Sequence, residues 1–256
     1  MNKFEEEVMN RIKENQGNSS LLKAAQSFMV ESTLPKYCYN FSVFGRPIIQ
    51  YPQDIIAMQE IIWKIKPDLI IETGIAHGGS LILNASMLAL QDMCDAIEQR
   101  IIFNPTVSKR KVLGIDIDMR PHNQKAIEEH PMASRIQIIQ GSSISPEVIE
   151  QVKKVSRDYK RILVCLDSNH THSHVLEELK AYAPMTSIGS YCVVFDTVVE
   201  DMPSHMFPDR PWGPGNNPKT AVREYLKNHP EFEIDKSIEY KLLITVASDG
   251  YLKRVR

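Results

Sequence analysis

Four cysteines in 256 residues, with no two close together, leave no room for a disulfide framework or a thiolate metal cluster. Cys38, Cys94, Cys165 and Cys192 form no CxxC pair, and the last two fall inside apolar runs, where a thiol is usually a small buried hydrophobe. A reducing, cytoplasmic setting is the expectation. No stretch approaches the roughly 18 consecutive apolar residues of a membrane-spanning helix. The opening Met1–Asn15 is rich in Glu and Lys and lacks the apolar centre of a signal peptide. Charge of one sign is missing too. Lysine and arginine total 30 against 32 acids, a net charge of −2, which excludes a broad nucleic-acid or membrane-surface footprint. There is no internal repeat, and no GxGxxG of the kind that nicotinamide enzymes carry after their first strand.

What is present is alternation. Two amphipathic helices are expected near Phe4–Asn15 and Leu21–Glu31, followed by an aromatic, proline-containing loop or short strand over Tyr37–Tyr51. This leading segment, 1–50, reads as an extension that covers an active site or makes a subunit contact in a homo-oligomer. From residue 51 to the end the pattern is one domain. A helix at Asp54–Lys64, with Asp54 as N-cap, precedes apolar runs at Leu69–Ile71, Val112–Ile115, Ile136–Ile139, Ile162–Leu166 and Tyr191–Phe195. Helical candidates at Ser80–Ile97, Lys125–Glu129, Pro146–Arg157 and His172–Tyr182 separate them. Short, wholly apolar strands between helices predict a parallel sheet covered on both faces. A helix at Pro218–Asn228 and strands at Phe232–Asp235, Leu242–Ala247 and Tyr251–Val255 then break the rhythm. A mostly parallel seven-stranded sheet ending in a C-terminal β-hairpin, with helices on both faces, is the Rossmann-like α/β pattern of class I S-adenosylmethionine (SAM) methyltransferases. Residues 202–218 hold five prolines and two glycines and read as a long ordered loop.

The chemistry gathers at the ends of the strands. The first loop, Glu72–Thr73–Gly74–Ile75–Ala76–His77–Gly78–Gly79–Ser80, joins a strand to a helix with an acid two residues before its first glycine. It resembles motif I of SAM methyltransferases, and Glu72, Gly74, His77, Gly78 and Ser80 are its candidate cofactor contacts. Asp116, at the end of the next strand, is suited to accept hydrogen bonds from ribose hydroxyls. It follows Glu72 by 44 residues, against about 20 in a compact dinucleotide fold; a long helix and an insertion at Gln99–Lys111 account for the excess. Ser142, in the Gly141–Ser142–Ser143 loop after the third strand, is placed to meet an adenine edge.

The fourth strand runs into Asp167–Ser168–Asn169–His170 and the fifth into Asp196–Thr197. On neighbouring strands, about 4.8 Å apart, Asp167 and Asp196 share one crevice. Two such carboxylates repel unless a proton or a cation lies between them, and oxygen donors suit Mg²⁺. Asp167 also borders the cofactor loops. His170 stands where an imidazole can take the proton of an acceptor hydroxyl. The nearby His172 and His174 sit at alternate positions of a helix, face different ways, and read as structural.

The segments IIETGIAHGGS, LGIDID, LDSNHTHSHV and GSYCVVFDT, with PWGPGNNPKTAV, resemble the cephalosporin hydroxylase family from about Tyr51 to the C-terminus. That family has the SAM methyltransferase fold and includes metal-dependent O-methyltransferases acting on antibiotics and sugars. The resemblance implies SAM contacts at Glu72, Gly74, Ser80 and Asp116, metal at Asp167 and Asp196, and a D-x-x-H base at His170. In one place the chain departs from the pattern. Related metal sites carry two adjacent acids after the fifth strand, and here Phe195 precedes Asp196, leaving Glu200 or Asp201 as candidate replacements. The expected activity is SAM-dependent O-methylation of a hydroxyl on a sugar or other small-molecule acceptor. A non-catalytic SAM-binding protein is the alternative. An iron-dependent hydroxylase is disfavoured, because the one H-x-[D/E], His229–Pro230–Glu231, has no later histidine to complete a facial triad.

Overall fold

Both sides of every central strand are apolar, so the chain has to cover its sheet twice. The computed structural model describes residues 2–256. Two helices, α1 (Lys3–Gly17) and α2 (Ser19–Thr33), lead to a hairpin of β1 (Phe41–Val43) and β2 (Arg46–Ile48). Alternation follows: α3 (Pro52–Ile65), β3 (Leu69–Thr73), α4 (Gly79–Gln99), β4 (Lys111–Asp116), α5 (Pro121–Glu128), β5 (Ile136–Gln140), α6 (Pro146–Ser156), β6 (Ile162–Leu166), α7 (His172–Tyr182) and β7 (Tyr191–Val194). The chain closes with α8 (Pro218–Leu226), β8 (Phe232–Ile234), α9 (Lys236–Leu242) and β9 (Tyr251–Arg254).

The seven-stranded sheet has the order β5-β4-β3-β6-β7-β9-β8. Its first five strands are parallel, and β9 runs antiparallel to both β7 and β8. Alternate residues feed two cores. Leu69, Ile71, Leu113, Ile115, Val164 and Val194 pack under α6, α7 and α8. Ile70, Val112, Leu163, Cys165, Val193 and Phe195 pack under α3, α4 and α5. Each such aliphatic side chain contributes about 1.5–3 kcal/mol when fully buried, which favours this register over a slip that would misalign both faces.

Several local expectations change. Asp54 is not the cap of α3. Tyr51 is, with Pro52 in the first turn, and Asp54 is wholly buried as the acceptor for Tyr251 Oη at 2.8 Å, the Val246 amide at 3.0 Å and the Thr245 hydroxyl. The same contacts explain why Leu242–Ala247 is not a strand. The Val246 amide donates to Asp54, and the Val246 carbonyl accepts from Val198 at 3.1 Å, so neither is free for a ladder. The strand that forms the edge hairpin with β9 is β8, across α9. Part of Tyr37–Tyr51 is the β1–β2 hairpin. α5 begins at Pro121, ahead of the expected Lys125, because a proline is well suited to the first helical turn.

Neighbouring strands β3 and β6 connect in opposite directions across the sheet, β3 to β4 on one side and β6 to β7 on the other. The crevice at such a reversal, outside the carboxyl ends of the strands, is where open α/β sheets bind ligands. Residues 72–80 and 167–170 emerge there.

Candidate active site

The first loop is tight because of what lies behind it. Gly74 has φ +86°, and a Cβ there would sit 2.0 Å from the Asp167 carbonyl oxygen. The glycine therefore serves a close approach between the β3 and β6 loops, in addition to any approach to a ligand. Gly79 packs in the same way on β2, where a Cβ would lie 2.3 Å from the Pro47 carbonyl oxygen. Arg46 of the hairpin donates to the His77 carbonyl from both Nε (3.0 Å) and Nη2 (2.6 Å). His77 thus contributes its backbone to holding the loop.

Glu72 is 3% exposed. It accepts from the Ser80 hydroxyl and from Asn84 Nδ2 at 2.9 Å. Burial outweighs these two bonds and pushes its carboxyl up to about 7. Glu72, Ser80, Asn84 and Asp167 line one small cavity with Gln50, Met58, Cys165 and Phe195. Asp116 is engaged with the same loop. Its Oδ2 accepts from the amides of Ile75 (2.8 Å) and Ala76 (3.3 Å), and its Oδ1 from Asp118 (2.9 Å). These bonds hold Ala76 in the left-handed region at φ +47°, and a carboxylate with about four acceptor positions has capacity left over. Ser142 is half-buried in the loop after β5, where the Gly141 amide donates to the Asp116 carbonyl at 2.8 Å. Loops one, two and three are therefore contiguous, as the order of the motifs requires.

The second constellation forms on the adjacent strands β6 and β7. One ligand atom from each of Asp167, His170 and Asp196 lies within 4.8 Å of the others. His170 Nε2 is 3.3 Å from Asp196 Oδ2. Asp196 itself, just beyond β7, adopts φ +54°, a strained conformation for a residue other than glycine. Among the described residues no donor hydrogen-bonds the Asp167 carboxylate. Burial first, then the charges of Asp196, Glu72, Glu178 and Asp54, raise its pKa well above the usual carboxylate range. An acid so placed calls for a proton or a cation, and two carboxylates with one imidazole are a donor set that fits a divalent ion. SAM fits the loop chemistry for a similar reason, since a buried acid behind a glycine turn favours a cationic ligand.

Glu200 and Asp201 do not replace the missing acid. Glu200 accepts from the Gly215 amide (2.7 Å) and Asn217 Nδ2 (2.5 Å), and Asp201 from Lys219 Nζ (2.5 Å) and Ser248 Oγ (3.0 Å). They pin the 202–218 loop, whose Trp212 then lies edge-on to His170 with ring centroids 4.9 Å apart. Arg210 lies over the Trp212 ring at 5.2 Å. His172 bridges α7 to α8 through Thr220 (2.8 Å) and Glu224 (3.1 Å), and His174 meets Ser143 at 3.0 Å, so both are structural as expected.

Two residues near these carboxylates escaped the sequence reading. Cys38 and Tyr39, from the leading segment, lie within electrostatic reach of Asp196 and Asp167. Burial and then the charge of Asp196 push the Cys38 thiol up to about 11. The only signal was the aromatic character of the stretch, with no motif to place it over β7.

The chain matches the family model described as rhamnosyl O-methyltransferase/CmcI over residues 35–255. It is 32% identical over 206 residues to the rhamnosyl O-methyltransferase of Mycobacterium tuberculosis H37Rv, covering 78% of this chain and 73% of that protein. The Mycobacterium leprae rhamnosyl O-methyltransferase is 30% identical over 212 residues, covering 82% and 81%. A solved structure of CmcI with Mg and SAM aligns at TM-score 0.53 and 18% identity, over 85% of this chain and 78% of that one, a likeness of fold.

Proposed function

The chain belongs to the rhamnosyl O-methyltransferase/CmcI family, and we propose that it is a SAM-dependent O-methyltransferase acting on a hydroxyl of a sugar, the rhamnosyl group for which its curated relatives are named being the first acceptor class. The observation that carries the reading is the convergence of Asp167, His170 and Asp196 beside the Glu72–Ser80 loop, at the carboxyl ends of adjacent strands.

Bound there, SAM would supply an electrophilic methyl group, and a divalent ion such as Mg²⁺ would lower the pKa of an acceptor alcohol. The protein's own contribution is placement and charge. Glu72 sets a negative field behind the loop, with Ser80 and Asn84 fixing its carboxylate. Gly74 and Gly78 shape the turn, the His77 carbonyl ties it to Arg46, and Asp116 and Ser142 border the nucleoside side. Asp167, His170 and Asp196 orient the acceptor hydroxyl toward the methyl carbon and favour loss of its proton. Trp212 and Tyr39 offer apolar faces to a sugar ring. We place the protein in the cytoplasm, as a homo-oligomer without a nucleic-acid partner. Four free cysteines, a near-neutral charge and the lack, among the described residues, of any helix long and apolar enough to cross a membrane support that placement.

Calorimetric titration with S-adenosylhomocysteine, followed by methyl-transfer assays on rhamnosides with Mg²⁺ or with EDTA, tests the reading. Saturable binding weakened at least tenfold by Asp116→Ala, with transfer to a rhamnoside, is the expected result. Absence of binding under every condition would overturn it.

A further inference from the structure

The position beside Asp196 where the family pattern has a second acid holds Phe195, whose ring is 3% exposed and packed in the core under α3 and α4. The next two acids along the chain, Glu200 and Asp201, are committed to Gly215, Asn217 and Lys219. Among the described residues, the group that completes the set is therefore an imidazole. His170 Nε2 stands 3.3 Å from Asp196 Oδ2, and the three donor atoms lie within 4.8 Å of one another. Ligands bonded at about 2.1 Å to one octahedral ion are separated by about 3 Å when adjacent and about 4.2 Å when opposite. Small side-chain adjustments close the cluster onto an ion. The edge-on Trp212 restrains the His170 ring in that orientation, and no other acceptor among the described residues hydrogen-bonds its Nε2.

We propose, resting on the methyltransferase reading above, that His170 is a metal ligand rather than the proton acceptor, and that Asp167, His170 and Asp196 together select a divalent transition ion over Mg²⁺. Mg²⁺ prefers a complete oxygen shell, whereas imidazole favours the first-row transition ions, and Mn²⁺ accepts both carboxylate and imidazole. A nitrogen whose lone pair is bonded to an ion cannot at the same time take a proton, so the two roles of His170 exclude each other.

The test uses the full chain saturated with S-adenosylhomocysteine and titrated with Mn²⁺ or Mg²⁺, with pulsed electron paramagnetic resonance on the Mn²⁺ form. One Mn²⁺ per chain is expected, bound at least tenfold more tightly than Mg²⁺ and showing directly coordinated nitrogen. In His170→Gln the nitrogen coupling disappears and Mn²⁺ affinity falls at least tenfold, while S-adenosylhomocysteine affinity stays within twofold and certifies the fold. Mn²⁺ bound without nitrogen coupling, Mg²⁺ bound as tightly, or no Mn²⁺ bound overturns the assignment. If S-adenosylhomocysteine still binds in that case, the donor set alone is wrong. If it does not, the methyltransferase reading fails with it.

Discussion

At Glu72, function and stability pull in opposite directions. The carboxyl is buried, with only Ser80 and Asn84 to solvate it, and its pKa rises from 4.5 to about 7. A carboxyl whose folded pKa exceeds its unfolded value binds more protons in the native state. The native state is therefore favoured below pH ~4.5, and that advantage is lost as pH climbs through about 7. The full difference is on the order of 3 kcal/mol. Glu72→Gln, which keeps an acceptor and removes the charge, is expected to raise the melting temperature of the ligand-free protein at pH 8 and to change it little at pH 5. The same variant weakens SAM more than S-adenosylhomocysteine, because only the former carries a sulfonium charge. Equal melting shifts at the two pH values would mean that the Glu72 carboxyl titrates alike in the folded and unfolded protein, and that burial does not raise its pKa.

At the scale of elements, the loop between β7 and α8 is held by its ends. Asn217 caps α8 through the Thr220 amide (3.2 Å), while its Nδ2 donates to Glu200 (2.5 Å) and to the Gly213 carbonyl (2.9 Å). Asn217→Ala removes a cap worth about 1 kcal/mol and also leaves Glu200 short of a partner. The expected outcome is a several-fold rise in acceptor KM, because Trp212 and Arg210 lose their placement, with S-adenosylhomocysteine affinity unchanged. An unchanged KM would detach this loop from acceptor binding. The elements also mark how far the sequence is legible. β3, β4, β6 and β7 were readable because both faces are apolar over a short span, and that pattern depends on nothing distant. Leu242–Ala247 misled for the opposite reason: its backbone partners are Asp54 and Val198, 192 and 48 residues away from Val246. Asp54 misled as a cap because a helix-start acid and a buried acid look alike until Tyr251 and Thr245 are folded against it. The pairing of Asp167 with Asp196 was legible from strand ends. The commitment of Glu200 to Asn217 was not, since it depends on how the loop folds back.

Across the whole molecule, Asp54, Glu72, Asp167, Glu178 and Asp196 gather around the carboxyl ends of β3, β6 and β7, although the chain as a whole is nearly neutral. The charge is local and concentrated, so the ligand-free fold carries self-repulsion that a bound cation relieves. An ion that binds the native state alone stabilises it by about 2.7 kcal/mol at a hundredfold excess over Kd. For a chain of this size that corresponds to a rise of roughly 5–10 °C in melting temperature. Divalent ions are therefore expected to raise the melting temperature, EDTA to reverse the rise, and Asp167→Asn to abolish it. Because Asp167 is the most crowded of the five, the same substitution should by itself stabilise the ion-free protein. A variant that still responds to the ion would place the cation elsewhere. A variant that gains nothing in EDTA would show that the Asp167 carboxyl titrates alike in the folded and unfolded protein, leaving no repulsion for the ion to relieve.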